Sequence, residues 1–72
     1  MQEITLSELE KLTENNTVDI LVDRHYQNGY LDPMIIIGIK DGIVCYTYIN
    51  RIRQFMKLEY FKVFTCYRKP HF

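Results

Sequence analysis

The order of apolar and polar positions divides the chain into one helical stretch followed by several strand-like ones. Thr5-Leu6-Ser7-Glu8 has the form of a capping box, in which the threonine hydroxyl accepts from the backbone N–H three residues on and the glutamate reaches back. Ile4 before the cap and Leu9 beyond it match a hydrophobic staple, and Leu6, Leu9 and Leu12 form a narrow apolar stripe at intervals of three. Asn15-Asn16 tolerates the left-handed backbone of a helix stop. The pattern predicts a short helix over residues 6–14 lying on a sheet.

Period two takes over in residues 17–24, where Val18, Ile20 and Val22 alternate with Asp19, Leu21 and Asp23, the mark of a half-buried strand. Gln27-Asn28-Gly29 supplies a turn, and Tyr30-Leu31-Asp32-Pro33 breaks regularity before the next strand. Residues 34–39 and 43–49 flank Lys40-Asp41-Gly42, and Asp-Gly between two apolar runs predicts a tight hairpin. Residues 50–57 lack Gly and Pro, and the spacing of Ile49, Ile52 and Phe55-Met56 predicts a short helical turn there. Residues 59–67 read as a last strand, with Phe61, Val63, Thr65 and Tyr67 on one side and Tyr60, Lys62, Phe64 and Cys66 on the other. Pro70 closes the ordered part, leaving 69–72 as a frayed tail.

The expected fold is therefore α+β: a single domain over residues 1–72, without a linker, in which a short N-terminal helix packs on a small, mainly antiparallel bent sheet of about four strands. The sheet is either open or rolled into a partial barrel. This layout resembles Sm-like and SH3-like barrels in topology. The glycine pattern of the former is absent and the resemblance covers no motif, so it carries no function with it.

Composition supports the strands. Ile, Val, Tyr, Phe and Thr make up 28 of the 72 residues and alanine is absent, so β-formers occupy the places helix-formers would take. A domain of this size has a core that only just outweighs the entropy lost on folding, which excludes a two-domain enzyme. The longest apolar run is far shorter than the roughly 18 residues of a membrane span. The start, Met-Gln-Glu, has no basic stretch leading into an apolar one, so no signal peptide and a cytoplasmic setting are expected. Two cysteines are fewer than a disulfide-stapled scaffold uses, which makes Cys45 and Cys66 reduced core thiols.

Charge adds the one asymmetry. Residues 1–41 hold eight acids and three bases, a balance of −5, whereas residues 42–72 hold one acid and six bases, a balance of +5. The formal net charge of zero thus conceals a dipole along the chain, of the kind that steers a partner.

Candidate chemistry is sparse. Asp19, Asp23 and His25 share strand parity and have the side chains of a metal or acid–base site, yet Leu21 interrupts them and a solvated face explains them equally. His25, Cys45, Cys66 and His71 are spaced too widely for the close ligand pairs of a zinc site. Ser7 is the only serine and lies in the helix cap, and the three glycines form no phosphate loop. The reading is a protein that is not an enzyme and uses no metal or cofactor.

Binding fits better. Residues 34–39 are apolar without alternation, as strands buried on both faces are, and one helix covers one face only. The other face needs another copy of the chain, a different protein or a closed barrel. Ile35, Ile37, Tyr46 and Tyr48 are the candidate protein-binding residues, since tyrosine gives large contact area at low entropy cost. The expected function is a small protein-binding module, an inhibitor, adaptor or regulatory subunit acting on another protein or as a homodimer, with a size compatible with phage or mobile-element origin. The alternative is a single-stranded RNA or DNA binder using Arg51, Arg53, Lys57, Tyr60, Lys62 and Phe64, where bases interleave with aromatics. A sequence pI of 6.7 weighs against it.

Overall fold

The computed structural model describes residues 2–24, 30–48 and 52–69. The threonine half of the capping box forms, with Thr5 Oγ1 accepting from the Glu8 N–H at 3.2 Å; the Glu8 carboxylate reaches back to the Thr5 side chain, whose hydroxyl donates to Oε1 at 3.2 Å. Helix α1 spans Leu6–Leu12 and stops at Thr13, before the asparagine pair. There the Thr13 hydroxyl bonds back to the carbonyls of Leu9 and Glu10, both at 3.0 Å, and occupies acceptors at the helix end. Leu9 is wholly buried, and Leu6 and Leu12 pack beside it, as the stripe predicts.

A two-residue strand β1 (Glu3–Ile4) precedes α1, and β2 (Val18–Asp23), β3 (Leu31–Lys40), β4 (Ile43–Thr47), β5 (Gln54–Lys57), helix α2 (Leu58–Phe61) and β6 (Thr65–Arg68) follow. The strands make one antiparallel sheet in the order β1-β6-β2-β3-β4-β5. The α+β class holds, but among the described residues the sheet has six strands where about four were expected, and it does not close: β1 and β5 are its edges. The turn at residues 27–29 and the tail beyond Lys69 lie outside the described residues.

The departures from the sequence reading have local causes. Residues 54–57 form β5 instead of a helical turn because pairing with β4 sets Met56 beside buried Val44, and such pairing overrides a weak local period. The first part of the expected strand over 59–67 is α2, one helical turn that carries Phe61 into the core and turns the chain from the β5 edge back to β6. Pro33 lies inside β3, on a stretch that pairs with β2 before β4 pairing begins at Ile35, an edge-like setting that tolerates a missing N–H.

The apolar run in β3 loses its alternation at a bulge. Ile36 pairs with Tyr46 and Gly38 with Cys45, so Ile37 is the extra residue and the side-chain phase shifts there. Met34 and Ile36 are buried before the bulge, and Ile39 packs on the core after it. The hairpin forms as expected, with positive φ at both Asp41 (53°) and Gly42 (75°), the signature of a type I′ turn. Gly42→Val is expected to lower stability by about 1–2 kcal/mol in urea unfolding, the cost of left-handed backbone for a residue with a Cβ. Gly38→Ala, whose added methyl meets nothing within 4 Å, is expected to leave the midpoint almost unchanged.

The core is built on one sheet face from Ile4, Ile20, Val22, Met34, Ile36, Val44, Tyr46 and Cys66, closed by Leu9 of α1 and Phe61 of α2. Among the described residues no helix is long and apolar enough to cross a membrane.

Candidate functional site

Strand parity sorts the candidate residues onto opposite faces. Tyr46 pairs with Ile36 and points inward, where it is 6% exposed and its hydroxyl is 3.2 Å from Gln54 Oε1. Tyr48 packs against the same core, edge-on to Tyr46 with ring centroids 6.0 Å apart. The Arg24 guanidinium lies 5.2 Å from the Tyr48 ring and 5.8 Å from the Phe64 ring, with its Nε 3.6 Å from Asp32 Oδ2. Burial pushes the Tyr48 hydroxyl above its ordinary pKa, and the Arg24 charge opposes that shift. Both tyrosines are therefore engaged in the chain's own packing, and Ile35 and Ile37 lie apart from them on the outer face. The role of Arg24 as a cation held between two rings was not read from the sequence, where it stood as one base in an acidic half.

What the outer face does expose is a different apolar set. Ile43 pairs across β4 and β5 with Lys57, and Cys45 with Phe55, so all four side chains share the outer face. Phe55 is 68% exposed and Ile43 37%. With Ile37, Gly38, Cys45 and the stems of Lys40 and Asp41 they line an open groove of about 310 Å³. Phe55 is not legible from sequence because residues 50–57 read as a helical turn, which carries no strand parity, and Ile43 is not because the tyrosines single out the opposite parity of its strand, that of Tyr46 and Tyr48, as the binding face.

The basic-aromatic set borders this groove in part. Arg53 and Lys57 are exposed at either side of Phe55, and Lys57 Nζ sits 6.0 Å from the Tyr60 ring, which is itself 59% exposed. Lys62 is exposed just past α2, whereas Phe64 is half-buried, edge-on to Phe61 at 6.1 Å. Tyr60, Lys62 and Phe64 thus do not share a strand face. Arg51 and His25 lie outside the described residues.

The backbone of β5 has a direction as well. The Leu58 N–H donates to the Gly42 carbonyl at 2.8 Å, one step beyond the Ile43–Lys57 pair. Bonded and non-bonded pairs alternate along an antiparallel ladder, so Val44–Met56 and Tyr46–Gln54 are bonded pairs and Ile43–Lys57 and Cys45–Phe55 are not. The N–H and C=O of Phe55 and the N–H of Lys57 consequently point away from β4, toward the sheet edge, while the Lys57 carbonyl, at the N-cap of α2, serves the first helical turn.

The other polar candidates separate. Asp19 is exposed on β2, and Asp23 is buried on the same strand with a partner of its own. Among the described residues no group of three or more His, Cys, Asp or Glu comes together as a metal site would require. Cys45 lies on the outer face and Cys66 on the inner one, both as free thiols. Compared with protein-family models, curated proteins and solved structures, the chain matches none.

Proposed function

We propose that this protein is a non-enzymatic binding module, an inhibitor, adaptor or regulatory subunit, that docks another protein on the outer face of β3, β4 and β5. The observation that carries the reading is Phe55, exposed beside Ile43 over an apolar groove on an edge strand. A contiguous apolar patch with an aromatic at its centre and charge at its rim has the anatomy of an interface. The patch replaces the Tyr46–Tyr48 surface expected from sequence, and Ile37 is common to both.

The combined substitution Phe55→Ser and Ile43→Thr tests this. Phe55 is mostly exposed and Ile43 about a third, so the two changes together are expected to lower the unfolding free energy by only about 1 kcal/mol. Retention of a cellular protein by the tagged chain is expected to fall at least about tenfold, the loss typical of a central aromatic contact. Retention that survives the double substitution counts against the outer face. Retention that disappears with nuclease treatment counts against a protein partner.

The second reading, a single-stranded nucleic-acid binder, is favoured by the Lys57–Tyr60 contact beside Arg53 and Phe55, since rings flanked by bases stack nucleobases and neutralise phosphates. Anisotropy of a labelled oligonucleotide at two salt concentrations decides it, because phosphate contacts make affinity fall steeply with salt.

A further inference from the structure

We propose that the free edge of β5 is a strand-addition site for an extended segment of another protein that presents an acid, an apolar residue and an acid at alternate positions. The inference rests on the protein-binding reading above and specifies its partner. Three observations converge on it. The outward-pointing N–H and C=O of Phe55 and the outward N–H of Lys57 give an incoming strand its hydrogen bonds, as edge strands do in β-augmentation. The same residues put their side chains on the outer face, so the residue added opposite Phe55 packs on its exposed ring and extends the apolar surface that Phe55 forms with Ile43 and Cys45. Finally, Arg53 and Lys57 stand two residues either side of Phe55, which asks for acids two residues either side of the apolar contact.

A second copy of the chain is a poor occupant. Antiparallel self-pairing with Phe55 opposite Phe55 sets Arg53 against Lys57 twice, and like charges directly opposite one another destabilise a ladder. The two bases thereby guard the edge against self-association while selecting an acidic partner. Within the chain, the strand carrying acid, apolar and acid at alternate positions is β2, with Asp19, Leu21 and Asp23. It is already paired on both sides, with β3 and β6, so a folded copy cannot offer it.

The test uses the whole chain and three labelled probes: a ten-residue peptide centred on Glu-Thr-Val-Thr-Glu, its analogue with lysines for glutamates, and a uridine decamer. The glutamate peptide is expected to bind at least about tenfold tighter than the lysine analogue and to slow amide exchange at Phe55 and Lys57. Arg53→Glu with Lys57→Glu is expected to invert that preference. Phe55→Pro, which removes an outward N–H without touching the β4 ladder, is expected to abolish peptide binding while the thermal midpoint stays close to the parent. Equal binding of the two peptides, or no protection at these amides, overturns the proposal, as does binding of the uridine decamer alone. Should Phe55→Ser with Ile43→Thr still abolish retention of a cellular protein in that event, face docking stands and strand addition alone falls. If retention is unaffected, both fall.

Discussion

Phe61→Ala is expected to destabilise the protein by about 3–5 kcal/mol, the range for removing a buried phenyl ring. Phe61 is 1% exposed, sits on the single turn of α2, and is the largest of the fully buried side chains among the described residues. It contacts Phe64 edge-on and belongs to the buried core cluster, so its loss leaves a cavity in a close-packed interior. A domain of 72 residues has a total stability of roughly 4–11 kcal/mol, so this change takes away a large part of it. Urea unfolding followed by far-ultraviolet dichroism is expected to show a much lower midpoint, or no cooperative transition. Phe55→Ala on the same scan is expected to shift the midpoint little, because its ring is mostly in water already. Equal effects from the two substitutions would reject the assignment of Phe61 to the core and Phe55 to the surface.

That contrast marks where the sequence was readable. Phe55 and Phe61 lie six residues apart in a segment of similar composition throughout, and periodicity could not separate them. Residues 5–24 and 34–47 announce themselves because each carries a strong local signal: a capping box with a leucine stripe, an alternating strand, and Asp-Gly between apolar runs. Residues 50–64 carry weak ones. Ile52, Phe55 and Met56 match a helical spacing, yet backbone pairing with β4 is a non-local term and decides for strand. Conversely, Leu58-Glu59-Tyr60-Phe61 suits a strand by composition, and the need to turn from the β5 edge back to β6 makes it helical. β1 is two residues long and had no signal of its own, being fixed by pairing with β6.

The site was partly legible for the same reason. The unalternating run in β3 predicted a second apolar face; Ile35 and Ile37 both point to the outer side, where Ile37 lines the apolar groove and Ile35 stands between Asp19 and Thr47. Its continuous look has a further cause that composition does not reveal, the bulge at Ile37, which shifts the phase midway along the strand. Tyr46 and Tyr48 share parity, as expected, but theirs is the inner face. Parity alone states which residues lie together, and only pairing states which side the core is on. The charge dipole resolves similarly: Glu8, Glu10 and Glu14 are exposed on or beside α1, and Arg53, Lys57 and Lys62 are exposed around β5 and α2, so acids and bases both reach the surface on different elements.

Alkaline pH is expected to weaken the fold through Cys66. The thiol is 7% exposed on β6, paired with Ile4 and Val22, and burial with a smaller contribution from Glu3 pushes its pKa from 9.0 up to about 11. Above pH 9 the unfolded chain loses this proton while the folded chain keeps it. The unfolded state then binds fewer protons, and stability falls with rising pH. The contribution is fully present below pH 9 and lost progressively up to about pH 11, by about 2–3 kcal/mol for a shift of this size. Tyr48, raised by burial, acts in the same direction at higher pH. Comparing the parent with Cys66→Ala isolates the thiol: the alanine variant is less stable at pH 8, and the gap is expected to narrow by pH 11 because only the parent has this proton to lose. Iodoacetamide at pH 8 is expected to modify the folded protein once, at half-buried Cys45, and twice in urea, read by mass. A gap that stays constant across this range, or rapid double alkylation of the folded chain, would place Cys66 in contact with water and contradict the packing of β6 against β1 and β2.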